Sequence, residues 1–297
     1  MTASLGLGTY RVRGVEQAAR TACADGLVWI DTAPNYADAH QVLRPVISDH
    51  LRARVATKTG FFTRAEGEAA VQAGLLTSEQ GAAGHSLDPA FVRWQTERSL
   101  ASLGRTDLVF VHNPERAHLD LADLHTRLRE VFAVLEEFAA AGRIGGYGVA
   151  TWSGFLHDIF AVSELMGLAK EAAGSSEHRL RAVQQPVSLV MARPIALALA
   201  GRGPLVQARA AGLITFGSSP LHGGELPTLV TRELAEFIRP GASPAAACLL
   251  AAASCPSLDV VLLSAGSPPH WSAAQDAIAS PLDPGHLRKV TDVLAQG

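Results

Sequence analysis

Three side chains capable of acid–base chemistry stand at the ends of short apolar runs in this sequence, and a fourth lies in the loop after one of them. Asp31 ends one run, Lys58 follows the next and His112 a third, while Tyr36 lies five residues after Asp31. Taken singly, each has an ordinary interpretation, because Asp31 can cap a helix and His112 can be a hydrogen-bonded core residue. Together, the four residue types form a set that can hold, polarise and protonate a reactive group.

The charges of the four side chains predict how they act on one another. A lysine that ends a buried strand needs an anion, because an unpaired buried ammonium is costly, and Asp31 can supply it. A cation beside Tyr36 favours the phenolate and lowers a pKa that starts at about 10. Such a tyrosine can donate a proton to a carbonyl oxygen, which His112 can also hydrogen-bond. Because no side chain supplies a hydride, the set implies a nicotinamide cofactor.

The elements that must position these side chains are short strands, each followed by a segment with helical spacing. The runs are continuously apolar rather than alternating, which is typical of strands buried on both faces. The predicted strands are Leu5–Tyr10, Leu27–Ile30, Val55–Thr57, Leu108–Val111, Tyr147–Ala150, Ala182–Gln184, Leu213–Phe216 and Val260–Leu263.

Strands that alternate with helices predict a parallel sheet, either closed into a barrel or open and doubly wound. An open sheet that binds a dinucleotide should carry G-x-G-x-x-G after its first strand, whereas Gly6-Leu7-Gly8 is followed here by Thr9-Tyr10-Arg11. The sequence therefore favours an α/β protein with a (β/α)8 TIM barrel, as a single domain over residues 1–297. Barrel enzymes work at the C-terminal ends of their strands, where the four side chains stand.

Helix signals between the strands complete the pattern. Three helices are predicted from apolar spacing and end signals: Gly14–Ala24, Pro89–Leu103 after an Asp88 N-cap, and Arg127–Ala141 before Gly142. The segment Glu66–Gly84 is rich in Gly and Ala and predicts a loop or a loose helix. It is interpreted as either an active-site flap or a tolerated insertion.

Composition excludes several classes of protein. Of the 297 residues, 48% are hydrophobic and 18% charged, which suits a large core and excludes a disordered or fibrous chain. The formal net charge of -3 leaves no basic excess to track a phosphate backbone, so nucleic acid is not an expected partner. The longest apolar stretches, such as Ala245–Ala253, are shorter than the roughly 20 residues of a membrane span.

The remaining signals concern location and partners. The N-terminal sequence lacks a charged region followed by an apolar one, so no secretory signal is expected. Cys23, Cys248 and Cys255 lack disulfide or metal-ligand spacing and are predicted to be core residues in a reducing compartment. We expect a cytoplasmic protein that uses no metal, acts on a small molecule and is a monomer or a weak homo-oligomer.

The set of motifs resembles the aldo-keto reductase family over nearly the whole chain. The motifs are LGLGTY (Leu5–Tyr10), WIDTAPNY (Trp29–Tyr36), VATKTG (Val55–Gly60), DLVFVHNP (Asp107–Pro114), GRIGGYGVAT (Gly142–Thr151), VQQPVSL (Val183–Leu189) and SSPLHGGEL (Ser218–Leu226). The resemblance implies that Asp31, Tyr36, Lys58 and His112 are the catalytic tetrad, with Tyr36 as general acid. It also implies a (β/α)8 barrel that binds NADPH across its C-terminal mouth without a Rossmann motif.

Further positions follow from the same resemblance. Cofactor contacts are implied at Thr151, Gln184, Ser219, Leu221, Gly266 and Ser267. The substrate candidates are Tyr10, Asn113, Trp152 and His222; the last two follow strands and line the mouth or simply pack in loops. Trp29 is assigned to the core instead. Many members begin with a hairpin that closes the barrel bottom; because strand one starts at about Leu5, that hairpin is predicted to be truncated or absent.

The departures from the family pattern lie on the cofactor side. Ala150-Thr151 replaces the usual Ser-Asn that holds the nicotinamide carboxamide, and Val187 replaces a tyrosine that stacks on the ring. No Arg or Lys occurs from Leu263 to Asp276, where the family pairs a cation with the 2′-phosphate, and Gln275 lies where the family reads adenine with Glu-Asn. Weak discrimination between NADPH and NADH, or no nicotinamide binding, is therefore predicted.

Four functions remain open at this point. The first is reduction of an aldehyde or ketone with NADPH or NADH. The second is a redox-neutral elimination, isomerisation or epimerisation on a barrel that has lost nicotinamide binding. The third is a non-catalytic regulatory or assembly subunit, which retention of all four tetrad residues disfavours. The fourth is Schiff-base chemistry on Lys58, which Asp31 disfavours by keeping the lysine protonated.

Overall fold

The computed structural model describes residues 3–24, 26 and 28–295. Its strands follow one another in chain order around a closed barrel, and the observed pairs are parallel, which confirms the predicted (β/α)8 TIM barrel. The strands are β1 (Ser4–Gly8), β2 (Trp29–Asp31), β3 (Arg54–Thr59), β4 (Leu108–His112), β5 (Gly146–Ala150), β6 (Leu180–Pro186), β7 (Ile214–Ser218) and β8 (Val260–Leu263).

Helices occupy the connections between the strands. Over the described ranges they are α1 (Val15–Ala24), α2 (Ala39–Asp49), α3 (Arg64–Gln72), α4 (Ser78–Ala82), α5 (Pro89–Leu103), α6 (Leu121–Ala140), α7 (Val162–Ala173), α8 (Arg193–Leu199), α9 (Pro204–Ala210), α10 (Leu226–Leu229), α11 (Arg232–Ile238), α12 (Pro244–Ala253), α13 (Pro268–Ile278) and α14 (Pro284–Leu294), with 3₁₀ helices at Pro114–Ala117 and His222–Gly224.

The strands lie where the apolar runs predicted them, with shifted ends. The first strand ends at Gly8 rather than Tyr10, because Thr9 already accepts a turn hydrogen bond from the amide of Val12 (3.3 Å). The β2 strand includes Asp31, and Leu27 of the predicted run lies outside the described residues. A polar residue at a strand end can thus belong to the sheet. A prediction based only on apolar runs ends such a strand too early.

The helix predictions hold best where a cap marks the start. The α5 helix spans Pro89–Leu103 as predicted, and Asp88 Oδ1 accepts hydrogen bonds from the amides of Ala90 (2.9 Å) and Phe91 (3.3 Å). In contrast, α6 begins six residues before the predicted Arg127. Its N-cap is Asp120, whose Oδ1 accepts from the amide of Asp123 at 2.9 Å, a cap that the apolar spacing alone did not reveal.

The segment Glu66–Gly84 forms a packed helical hairpin rather than a loose loop. Its two helices, α3 and α4, are capped by Thr63 and Thr77. They approach so closely that a Cβ on Gly67 would lie 2.3 Å from the carbonyl oxygen of Gly81. The hairpin covers a small buried cluster of its own (Phe62, Ala70, Leu76 and Phe91). A segment with its own core and caps is a structured insertion between β3 and α5.

By internal contacts the chain forms two compact units. The terminal unit comprises the described residues of Met1–Trp29 and Gln184–Gly297, and the central unit comprises Ile30–Val183. In the central unit, Phe132 of α6 packs on Tyr147 of β5 with ring centroids 5.0 Å apart. In the terminal unit, Trp29 contacts Phe216 edge to face at 5.1 Å, which confirms its assignment to the core.

The cysteines and the most apolar helix belong to the core of the terminal unit. Cys23, Cys248 and Cys255 are all buried free thiols, as predicted. The α12 helix is apolar all round, and every residue from 247 to 253 is buried. Over the described residues, no helix combines the length and apolarity required to cross a membrane.

Candidate active site

The Lys58–Asp31 ion pair is the centre of the site in the central unit. Asp31 is the last residue of β2 and Lys58 the fifth of β3, and both are buried, with 4% and 2% of their surfaces exposed. Lys58 Nζ donates hydrogen bonds to Asp31 Oδ1 and to the carbonyl oxygen of Thr32 (3.1 Å). Burial alone lowers the pKa of Lys58, but the negative charge of Asp31 and the interaction with Tyr36 outweigh it, so the pKa is raised. The lysine is therefore a fixed cation.

Tyr36 lies beside that cation in the turn between β2 and α2. Its amide donates to the carbonyl of Ala33 (3.1 Å), and its carbonyl accepts from the amide of Ala39 (3.0 Å). Lys58 Nζ is 5.1 Å from the centroid of its ring. The turn thus places the phenol against the ammonium, where the positive charge stabilises the phenolate. The side chain as a whole is half-buried.

His112 completes the group at the end of β4. Strand pairing puts Lys58 opposite Phe110, two residues before His112. The imidazole meets the Tyr36 ring edge to face with centroids 6.4 Å apart. Burial, then the charge of Lys58, then His85 lower the pKa of His112 well below its usual value. A neutral imidazole results, which can donate one hydrogen bond without adding charge.

The structure therefore brings together the four residues that the sequence singled out. The arrangement offers one phenolic proton, one buried cation to stabilise the phenolate, and one neutral imidazole on the same side. Groups of these types suit proton donation to a carbonyl oxygen, and the reverse step removes a proton from an alcohol. Protonation of the carbonyl oxygen leaves its carbon open to a nucleophile.

A buried histidine behind β3 makes the fold sensitive to acid. His40 of α2 lies 3.0 Å from Thr57, between Nε2 and Oγ1, and burial followed by the charge of Lys58 lowers its pKa to about 4. In the unfolded chain this histidine binds its proton near pH 6.5. Its contribution to the free energy of unfolding is therefore fully present above that pH and is lost as the pH falls towards 4.

We expect the free energy of unfolding to fall by about 3 kcal/mol through His40 between pH 6.5 and 4. Urea denaturation at several pH values measures this slope for the wild type and for His40→Asn. The slope of the variant should be shallower, with a remainder from His85 and His112, whose pKa values are lowered in the same direction. Equal slopes for the two proteins would contradict the assignment to His40.

Glu115, which the sequence reasoning missed, joins the loops that follow β4 and β5. Its Oε1 accepts hydrogen bonds from Thr151 Oγ1 (2.8 Å) and from the amides of Trp152 and Ser153 (both 2.9 Å). Beside it, the amide of Asn113 donates to the carbonyl of Ala150 at 2.6 Å. Thr151 has one hydroxyl hydrogen, which Glu115 receives, and its oxygen accepts from a further backbone amide. A ligand at Thr151 therefore meets an acceptor rather than a donor.

Removal of the Glu115 carboxylate should loosen this pair of loops. Glu115→Ala leaves the Thr151 hydroxyl and two amides without their acceptor, which should lower the free energy of unfolding by about 1–3 kcal/mol. Glu115→Gln keeps one acceptor oxygen, and among the described residues Oε2 has no hydrogen-bond partner to lose. Chemical denaturation should therefore rank the stabilities as wild type, then Gln, then Ala. An Ala variant as stable as the wild type would show that the three hydrogen bonds are not formed in solution.

The proposed cofactor residues other than Thr151 belong to the terminal unit. Gln184 is a buried residue of β6, and Ser219 and Leu221 lie in the turn after β7. Gly266 and Ser267 follow β8, and Ser267 is the N-cap residue of α13 although its side chain caps no amide. Two prolines follow it, so the first turn of α13 lacks two of the N–H groups that could bind an anion.

Arg13, another residue that sequence reasoning missed, lies next to Gly266. A Cβ on Gly266 would be 3.1 Å from the carbonyl oxygen of Arg13, so the two backbones touch. The neighbouring Arg11 brings Nη1 within 3.8 Å of where a Cβ on Gly223 would stand. Both arginines are exposed. Pairing of β1 with β8 explains the contact, since it puts Leu7 opposite Leu263 and so joins the two following loops.

The substrate candidates fall on two different units. Asn113 and Trp152 are in the central unit; Asn113 has a left-handed backbone (φ +46°), and the Trp152 side chain is 43% exposed. Tyr10 and His222 are in the terminal unit, where Tyr10 is 50% exposed and carries the Arg11 guanidinium 5.1 Å above its ring. Their exposure is compatible with ligand contact, and their roles stay predictions.

Comparison with known proteins shows the family and the fold to which the chain is similar. A model of the aldo/keto reductase family matches residues 2–238. No curated protein sequence matches the chain at a significant level. Its structure is similar to that of the glycerol dehydrogenase of Gluconobacter oxydans, with a TM-score of 0.69 and 19% identity over 98% of this chain and 91% of the other.

A second similar structure is an aldo/keto reductase from Klebsiella pneumoniae in complex with NADP and acetate. The TM-score is 0.66 and the identity 20%, over 98% of this chain and 90% of the other. At such identities these two likenesses establish a common fold. The match of the family model covers most of the chain and includes all four residues of the site. This chain therefore belongs to the aldo/keto reductase family.

Proposed function

We propose that the protein is an NAD(P)H-dependent oxidoreductase that reduces an aldehyde or ketone to an alcohol, with Tyr36 as general acid. One observation carries the proposal: the buried ammonium of Lys58 is fixed between Asp31 and Tyr36. Membership of a reductase family supports it. A small-molecule substrate, a cytoplasmic setting, and a monomeric or weakly associated state are part of the same proposal.

The chain's own residues would divide the work as follows. Tyr36 Oη donates a proton to the carbonyl oxygen of the substrate, and Lys58 stabilises the phenolate that remains. Asp31 keeps Lys58 charged and in place. His112, neutral at working pH because burial lowers its pKa, donates a hydrogen bond to the same oxygen. When bound, the nicotinamide supplies the hydride that the substrate carbon receives.

The proposed cofactor contacts fit a nicotinamide cofactor, although less fully than Asp31, Tyr36, Lys58 and His112 fit the carbonyl group of a substrate. Gln184 offers a buried amide, and Ser219, Leu221, Gly266 and Ser267 are the other proposed contacts in the terminal unit. Thr151 offers an oxygen that can accept a hydrogen bond from the carboxamide, since its hydrogen goes to Glu115. Val187 is buried and offers no aromatic face to the nicotinamide ring.

Titration with NADPH and with NADH, followed by fluorescence or calorimetry, is the direct test of cofactor use. A saturable signal with either cofactor, followed by reduction of a carbonyl probe such as para-nitrobenzaldehyde, would support the reductase. The NADP in the Klebsiella pneumoniae aldo/keto reductase makes NADPH the first cofactor to test. Failure of both cofactors to bind would contradict the proposal.

Discrimination between the two cofactors should be small, within about tenfold. The segment from Leu263 to Asp276 carries no Arg or Lys, and Arg13 beside Gly266 is exposed to solvent. Exposed ion pairs contribute about 0–1 kcal/mol, and 1.4 kcal/mol corresponds to one decade in affinity. The dissociation constants of NADPH and NADH at fixed salt, in the wild type and in Arg13→Gln, measure this.

The Arg13→Gln variant should show no remaining preference for NADPH, and raising the salt should erase the preference of the wild type. Arg288→Gln, on α14, is the matched control and should keep the wild-type ratio. A hundredfold preference for NADPH that survives in Arg13→Gln would show that another cation binds the 2′-phosphate.

A redox-neutral reaction on the same tetrad, as in a lyase or isomerase, is the second candidate. The engagement of Thr151 by Glu115 favours it, because the donor expected for the carboxamide is occupied within the protein. Absence of nicotinamide binding together with Tyr36-dependent isomerisation or elimination of a carbonyl compound would support this alternative. Tight NADPH binding would exclude it.

A further inference from the structure

The imidazole of His112 lacks the hydrogen bond that usually fixes such a ring. Its Nδ1 is buried and has no hydrogen-bond partner among the described residues. A histidine ring held at one nitrogen has a defined orientation, whereas a ring without that bond can rotate about its Cβ–Cγ bond and exchange the positions of its atoms. Something other than a hydrogen bond at Nδ1 must therefore orient His112.

Packing supplies this restraint, and the ring of Phe61 lies against the imidazole. The Phe61 and His112 centroids are 4.8 Å apart with an interplanar angle of 75°, whereas the Tyr36 ring is 6.4 Å away. An edge-to-face contact at this distance is in the favourable range for aromatic pairs. Phe61 lies just after β3 and is itself half-buried. Rotation of the His112 ring would bring it against this neighbour.

Phe61 is held in turn by His85. The two residues form an antiparallel bridge at the base of the α3–α4 hairpin, and their rings meet at 4.6 Å. The Phe61 carbonyl also accepts a hydrogen bond from Gln95 Nε2 (2.9 Å). Finally, His85 Nε2 donates to the backbone carbonyl of His112 at 2.9 Å. At the base of the hairpin, His85 thus binds the backbone of His112 and Phe61 packs on its ring.

We propose that Phe61 and His85 are positioning residues that orient the His112 imidazole for its role at the carbonyl oxygen. The α3–α4 hairpin is then joined to the active site through its base. The catalytic consequence rests on the proposed reductase function, whereas the orientation of the ring does not. The two can therefore be tested separately.

The first test observes the ring directly, without substrate. The imidazole nitrogen NMR spectrum of the full-length, histidine-labelled protein is recorded for the wild type, Phe61→Leu and Phe62→Leu, with His112→Asn used to assign the His112 signals. Phe62 packs on Phe91 at 5.0 Å inside the hairpin cluster and is the matched control. Phe61→Leu should shift or broaden the His112 signals, and Phe62→Leu should leave them in place. Unchanged His112 signals in Phe61→Leu would overturn the proposal.

The second test uses activity with NADPH and para-nitrobenzaldehyde. Phe61→Leu should lower kcat by about 10- to 100-fold, the scale of a small misplacement of a reacting group. In the His112→Asn background the same substitution should have little further effect, because Phe61 acts through His112. Equal losses in both backgrounds would show that Phe61 supports the fold in general.

Two further variants keep the test decisive if Phe61→Leu folds poorly. Phe61→Tyr retains the aromatic ring, so its His112 NMR signals and its kcat should stay close to those of the wild type. His85→Gln retains an N–H that can donate to the His112 carbonyl but removes the ring behind Phe61, so its His112 signals should shift less than those of Phe61→Leu. A wild type inactive on carbonyls would defeat the reductase proposal and leave the NMR result to decide the positioning role.

Discussion

Replacing Tyr36 with phenylalanine should lower turnover by about 10²–10⁴-fold while leaving the fold and the affinity for cofactor nearly intact. The substitution deletes only the hydroxyl, whose proposed role is proton donation, and general acid catalysis contributes on this scale. The ring that packs edge to face on His112 is retained. Steady-state kinetics with NADPH and an aldehyde measure kcat, and calorimetric titration measures the affinity of the same protein for the cofactor.

Tyr147→Phe is the matched control for loss of a phenol. Tyr147 is buried in β5, and its hydroxyl donates to Glu136 Oε1 (2.8 Å). Its loss should affect stability rather than turnover. If Tyr36→Phe turned over a genuine substrate as fast as the wild type, Tyr36 would not be the general acid, and the tetrad assignment would fail with it.

Lys58→Met should be comparably damaging to turnover and, unlike Tyr36→Phe, should also destabilise the fold. The phenol loses the cation beside it, so the phenolate formed on proton donation is no longer stabilised. Asp31 is left buried and without its ion-pair partner, and removing one member of a buried pair costs about 3–5 kcal/mol. Turnover and urea denaturation of the same variant measure the two effects.

A double variant separates the two roles of Lys58. Adding Asp31→Asn to Lys58→Met removes the uncompensated charge, so stability should recover while activity stays low. Lys170→Met, on the exposed face of α7, controls for loss of a lysine and should change neither property. Normal carbonyl reduction by Lys58→Met would show that the lysine only stabilises the fold.

The four candidate residues could be singled out because strand ends are marked locally in the sequence. Asp31, Lys58 and His112 each end or nearly end a strand, and parallel strands of one sheet present their C-terminal ends on the same side. Apolar runs and helix caps depend on residues a few positions apart, so both can be recognised in the sequence without knowledge of the fold. The cap at Asp88 illustrates this, since side chain and amides lie within three residues.

Other features depend on contacts between segments far apart in the chain, and only the tertiary structure decided them. Glu115 meets Thr151 because β4 and β5 pair in a register that aligns their following loops. Arg13 meets Gly266, some 250 residues later, because β1 pairs with β8. No local pattern encodes such pairings, since they depend on strand register and loop length together.

The Gly/Ala-rich segment shows the same division between local signal and long-range packing. Its many Gly and Ala residues gave no clear helical period, yet Gly67 and Gly81 allow two short helices to pack at backbone contact. The absence of side chains, which weakens each helix alone, is what permits their approach. The sequence by itself thus determined which residues stand at the strand ends. The packing of distant segments decided which residues contact His112, which carboxylate accepts the Thr151 hydrogen and which backbone lies beside Gly266.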